Sequence, residues 1–128
     1  MNAMLVVLGG GLGALCRFAV SALSTRYLGN GFAWGTLIVN VLGCFFIGLA
    51  AGFLERLSMP RSLWLLLVTG FLGGFTTFST FSLETFQMLG SGSVVKALAS
   101  IASNVVLGLV ACGAGLATAF ALVARISR

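Results

Sequence analysis

Four apolar stretches, Ala3–Leu23, Trp34–Leu54, Leu63–Leu89 and Val94–Val123, occupy most of this 128-residue chain. Each reaches the roughly 20 residues that a helix needs to cross a hydrocarbon core about 30 Å thick. Hydrocarbon offers no partner to an open peptide group, so helices are the spanning form. They are expected over about 3–26, 33–55, 62–89 and 93–124. The connections are short and carry breakers: Arg26–Gly31, then Glu55–Arg61 with the only proline, Pro60, then Gly90–Ser93. The expected fold class is therefore an all-α integral membrane protein, a single transmembrane domain over 1–128 with no internal repeat and no soluble module.

Composition excludes the soluble alternative. The chain is 59% hydrophobic and 7% charged, far too few charges to clothe a water-facing surface. A net charge of +5 invites a nucleic-acid reading, but Arg17, Arg26, Arg56, Arg61, Lys96, Arg125 and Arg128 never form a stripe. Most stand at the ends of apolar runs, where they anchor a helix at anionic lipid headgroups. Cys16, Cys44 and Cys112 all lie within apolar runs and there is no histidine, which argues against a disulfide framework or a zinc site. The start of the chain lacks the basic region of a cleavable signal peptide.

Four spans bring both termini to one side of the membrane. Arg56, Arg61, Arg125 and Arg128 then share that side, against Arg26 and Lys96 on the other. This favours cytoplasmic termini only modestly. A chain with so little asymmetry can insert both ways, and two opposite copies can build a symmetric pore that neither builds alone.

Three helices carry small or polar ridges at a spacing of four: Gly9, Gly13 and Arg17; Asn40, Cys44, Gly48 and Gly52; Ser100, Asn104, Gly108 and Cys112. Residues four apart share a helix face, so these are seams for close helix packing. Asn40 and Asn104 leave two readings open, packing or a polar path, because a carboxamide at membrane depth needs partners. Arg17 also has two: it snorkels to the interface, or it stands at a pore mouth and raises the local anion concentration. The run Gly9–Ala14 matches a dinucleotide-binding glycine pattern on paper, but it opens no βαβ unit.

The third segment holds most of the functional information. Gly70, Gly73 and Gly74 are followed by Thr76, Thr77, Ser79, Thr80 and Ser82, all in an apolar span. Paired glycines and hydroxyls that compete for backbone bonds weaken a helix, and a break is expected at about Gly73–Thr77. Such a break survives only when buried in protein or lining a cavity, where its freed carbonyls can ligate a cation. Phe78 and Phe81 lie three apart beyond it, interleaved with Ser79 and Thr80. They are lipid-facing or interhelical aromatics, or they turn the electropositive ring edge toward an anion. Glu84, the one acid inside a span, is a candidate for function on that ground alone.

On these residues the chain resembles the Fluc (CrcB) family of fluoride channels. The similarity covers nearly the whole length: Gly13 and Arg17, Gly35-Thr36-Leu37 with Val39-Asn40 and Gly43, and the run from Gly70 to Phe81. The resemblance implies an antiparallel, dual-topology homodimer in the bacterial inner membrane, with two fluoride pores and a structural sodium ion at its centre. It implies backbone carbonyls of Gly73 and Thr76 around that sodium, Phe78 and Phe81 as fluoride-contacting rings, and Asn40 as a hydrogen-bonding pore residue. Ser79 and Thr80 would add hydroxyls to the polar track, with Glu84 near one end and Arg17 in the vestibule. Some relatives start the fourth helix's polar ridge with an aromatic or amide; here Ser100 stands there with Asn104 a turn later, and both join the pathway by position.

Passive fluoride export is thus the leading function. A proton-coupled four-helix exporter is the alternative, with Glu84 as the acid that would alternate between proton and substrate. A non-transporting membrane subunit is a third reading, in which the ridges are packing faces only. An enzyme is not expected, since the chain has no histidine, no second membrane acid and no long soluble loop.

Overall fold

The computed structural model describes residues 2–57 and 60–126, and four of its helices are long and apolar enough to cross a membrane. The first span is α1 (Asn2–Leu28) and the second α2 (Trp34–Arg56). The third runs over Arg61–Gly90 in pieces: α3 (Arg61–Trp64), a π-helical stretch Leu65–Leu72, α4 (Gly73–Phe75) and α5 (Phe78–Gly90). The fourth is α6 (Val94–Ile126).

The ends follow local chemistry. Gly29 and Gly92 both take φ +75°, the left-handed conformation that closes a helix and that side-chain-bearing residues resist. The Gly29 amide donates to the Thr25 carbonyl at 3.0 Å. Pro60 precedes α3, and its carbonyl accepts from the amides of Leu63 at 3.0 Å and Trp64 at 3.2 Å. A proline at this entrance sacrifices no helical hydrogen bond.

Glycine contacts fix the directions of the spans. A Cβ on Gly9 would meet the Leu66 carbonyl oxygen, and one on Gly13 the Phe71 carbonyl oxygen, so α1 runs parallel to the third span. Gly48 meets the Cys112 carbonyl and Gly52 lies against Ala119, so α2 runs parallel to α6. Gly35 packs on Ser21, which makes α1 and α2 antiparallel. Both ends of the described chain thus lie at one end of the bundle with Arg56, Arg61 and Arg125, while Arg26 and Lys96 mark the other, the loop end. Arg128 lies outside the described residues.

The ridges read from the sequence on α2 and α6 meet one another, while that of α1 packs on the third span. Cys44 Sγ lies 3.3 Å from where a Gly108 Cβ would stand, and Gly115 sits against the Phe45 carbonyl. With so little bulk in the seam, contact here is backbone on backbone, as suits helices that lipid alone does not squeeze together. The third span changes neighbours along its length: its first part packs on α1, and α5 packs on α6. Large apolar residues such as Val7, Phe18 and Leu109 point outward. Ser103 and Thr118 hydroxyls donate to the carbonyls of Ala99 and Ala114, each at 2.7 Å, so these two hydroxyls are satisfied within their own helix.

Candidate functional site

Thr76 and Thr77 separate α4 from α5, with φ/ψ of −81°/157° and −152°/114°. Two extended residues within a span expose peptide groups that must find partners. Asn40, projecting from α2, provides them. Its Oδ1 accepts the Thr77 amide at 2.9 Å, and its Nδ2 donates to the Thr77 carbonyl at 3.1 Å. The same Nδ2 donates to Asn104 Oδ1 at 3.0 Å, and Asn104 Nδ2 donates to the Ser100 carbonyl at 3.0 Å. One chain of carboxamides thus ties α2, the break and α6 together.

The break has a direct consequence for two carbonyls. In a continuous helix the Thr77 amide would donate to Gly73 and the Thr80 amide to Thr76. Here the first goes to Asn40, and the second goes to Thr77 Oγ1 at 3.2 Å. Thr77 is the N-cap of α5, a role that threonine favours because its oxygen replaces the missing turn. Its hydroxyl donates to Thr80 Oγ1 at 2.9 Å and lies 3.4 Å from Ser79 Oγ. The Gly73 and Thr76 carbonyls are left without their helical donors. Thr76 turns its own hydroxyl back to the Leu72 carbonyl at 3.0 Å and seats its methyl where a Gly43 side chain would be.

A groove of about 440 Å³ opens beside the break, lined by Asn40, Gly73, Thr76, Thr77, Phe78, Phe81 and Asn104 among others. The rings of Phe78 and Phe81 lie 5.5 Å apart at 54°, with Phe78 78% exposed. The neighbouring pair behaves differently: Phe71 and Phe75 stack at 5.9 Å and 11°, and Phe75 is buried. Toward the loop end a second cavity, about 500 Å³, is lined by Thr36, Thr80, Glu84, Gln87, Ser93 and Lys96 among others.

The residues singled out from the sequence therefore fall in the groove, in the loop-end cavity, or outside both. Gly73, Thr76, Phe78, Phe81, Asn40 and Asn104 share the groove. Thr80 and Glu84 line the loop-end cavity, and Glu84 holds one carboxylate oxygen, Oε2, buried without a partner. Ser79 is exposed at the start of α5. Ser100 is fully buried with an unpartnered hydroxyl, and Arg17 is half-buried on α1; neither lines the groove or the loop-end cavity. Sequence reasoning missed Thr77 as the clamped residue, although a threonine just before a helical run is an N-cap signal. It also missed the π-helical stretch, a form that often accompanies functional sites and for which no residue type in Leu65–Leu72 gives a cue.

Four apolar spans, the third interrupted at Thr76 and Thr77, define a multi-pass membrane protein. A protein-family model described as "CrcB-like protein, Camphor Resistance (CrcB)" matches residues 4–116. A protein of Rhizobium etli named "Fluoride-specific ion channel FluC" is 46% identical over 124 residues, covering 96% of this chain and 99% of its own. Proteins of the same name from Magnetococcus marinus and Methylobacterium sp. are 47% identical over 112 residues and 43% over 124. These cover 87% and 96% of this chain, and 91% and 96% of their own lengths. The chain belongs to the CrcB family. Relatives in it are named as ion channels, not as enzymes.

Proposed function

We propose that this protein is a fluoride channel of the bacterial inner membrane that lets cytoplasmic fluoride leave down its gradient and so protects the cell from fluoride toxicity. The observation that carries the reading is identity of 41–47% to proteins named as fluoride-specific channels, over most of the chain. The groove chemistry agrees with it. Hydroxyls, carboxamides and phenyl edges offer positive partial charge to an anion without a fixed cation, and conduction needs binding that is easily reversed. Asn40, Phe78, Phe81 and Asn104 in the groove, with Thr80 and Glu84 in the loop-end cavity, form the proposed pathway. Ser79, Ser100 and Arg17, the last at a vestibule, line neither cavity of one chain and join it by position along their helices.

The working assembly is an antiparallel homodimer with two pores. A mostly exposed Phe78 and an open groove at membrane depth suit a second copy laid against this face. Sodium fits the chemistry at the break. The Gly73 and Thr76 carbonyls lack helical donors, so two copies can offer two hard oxygens each. When bound, sodium would bring positive charge to the dimer centre and hold the two copies in register. Asn40 fixes the backbone that carries those oxygens by binding both polar groups of Thr77.

The test is efflux from liposomes loaded with fluoride and given a potassium ionophore to carry the compensating charge. Fast fluoride loss with chloride retained and no need for a pH gradient is the expected result. Fluoride loss only under a pH gradient would replace the channel with a proton-coupled exporter working through Glu84. No flux of any small ion would refute both.

A further inference from the structure

We propose that Cys44 and Cys112 form a two-thiol site that captures a soft, linearly coordinating metal ion, mercuric ion above all, across the seam between α2 and α6. This site stands apart from the proposed fluoride pathway, in which neither thiol has a role. Both cysteines are free and half-buried.

The packing of the seam brings the two thiols toward each other. Cys44 Sγ lies 3.3 Å from where a Gly108 Cβ would stand, and a Gly48 Cβ would stand 3.1 Å from Cys112 Cα. Gly48 follows Cys44 by four residues and Cys112 follows Gly108 by four, so the parallel helices are level at both pairs. With Cys44 Sγ already at Gly108, the Cys112 thiol is one turn of α6 away, about 5.4 Å. Helical side chains lean toward the start of their helix, which shortens that gap. The two thiols are near enough to interact electrostatically. A linear ion joins sulfurs about 4.6 Å apart, at metal–sulfur bonds of about 2.3 Å each, a span that suits this offset.

The ligand set selects the ion. Thiolates favour soft metals. Zinc takes four ligands, and among the described residues no three ligating side chains stand together. Two sulfurs complete the coordination of a linear mercuric ion. Two thiolates and a divalent cation also sum to zero, which avoids a net charge at membrane depth; a monovalent cuprous or silver ion would leave a negative one. Cys44 lines the groove, which gives neutral mercuric chloride a way in. Capture exchanges two Hg–Cl bonds for two Hg–S bonds and releases two protons and two chloride ions, with no change of oxidation state.

For the test, the exposed Cys16 is first replaced by alanine. The remaining two-thiol protein is purified in detergent and titrated with mercuric chloride up to one ion per chain, while free thiols and released protons are counted. One ion is expected to consume both thiols and release two protons. In Cys44→Ala and Cys112→Ala, built on the same background, one ion should consume one thiol and release one proton. Glutathione should be needed at about tenfold or higher concentration to strip the ion from the pair than from either variant, because the second sulfur is held at high effective concentration. One thiol and one proton per ion in the two-thiol protein would overturn the site, as would equal sensitivity to glutathione or no uptake. Consumption of two thiols per ion in either variant, or in their mixture, would place the bridge between copies and overturn it too.

Discussion

Within three residues of the third span, two phenylalanines meet opposite fates. Phe75 is buried and stacked on Phe71, against the glycines of α1, whereas Phe78 is 78% exposed and reaches its nearest ring at Phe81. The two extended residues between them turn the helix face. Removing Phe75 would open a cavity, while removing Phe78 leaves the interior of this chain intact. Replacing Phe78 or Phe81 by isoleucine keeps the apolar bulk and discards the ring quadrupole. Fluoride efflux is expected to fall by about tenfold or more, equivalent to roughly 1.4 kcal/mol of lost ion contact. The dimer should elute unchanged on size exclusion; conduction at wild-type rate would show that the rings do not meet the ion. At this scale the sequence told only part of the story. Phe78, Phe81, Asn40 and Asn104 stood out by type and spacing, but Asn40 meets Thr77 across 37 positions and Asn104 across 64. No local pattern encodes such a meeting.

The helices themselves were legible because lipid removes most alternatives. Apolar length sets where a span begins and ends, and backbone satisfaction dictates its form. Neither sets the pairing of spans. The ridge on α2 could have met α1 or the partner copy; it meets α6, where Gly48 lies on Cys112 and Gly115 on Phe45. Gly115 makes the pairing testable, because its Cβ would strike the Phe45 carbonyl oxygen and approach the Leu49 amide nitrogen to 2.8 Å. Backbone cannot rotate away as a side chain does, so Gly115→Val must push α6 off α2. The cost is expected at about 1–3 kcal/mol or more, as for overpacking generally. It should appear as a clear drop in melting temperature in detergent. Gly113, two residues earlier, has nothing within 4 Å of an added Cβ, so Gly113→Ala should melt with the wild type. Equal melting of the two variants would disprove the tight α2–α6 seam.

At the scale of the whole molecule, orientation is decided by charges that sit far from the groove. Arg56, Arg61 and Arg125 mark the end of the bundle where the described chain begins and ends, while Arg26 and Lys96 mark the loop end. The positive-inside preference acts on short loops near helix ends, and here the two sides nearly balance. A near-balance is what an antiparallel dimer of one sequence requires, since copies must insert in both directions. The proposed assembly therefore predicts that a cysteine at Asn30, exposed in the first loop, is reached by an impermeant maleimide on only about half the copies in intact cells. The native Cys16, Cys44 and Cys112 are first replaced by serine or alanine. Labelling of all copies or of none would establish a fixed orientation and rule out the antiparallel arrangement. The same balance can be broken deliberately. Two lysines added beside Asn30 should draw the loop end to the cytoplasm and leave a silent protein when expressed alone. Two lysines added beside Arg61 should bias insertion the other way and be equally silent. Expressed together, the two should restore fluoride efflux, because each then supplies the orientation that the other lacks.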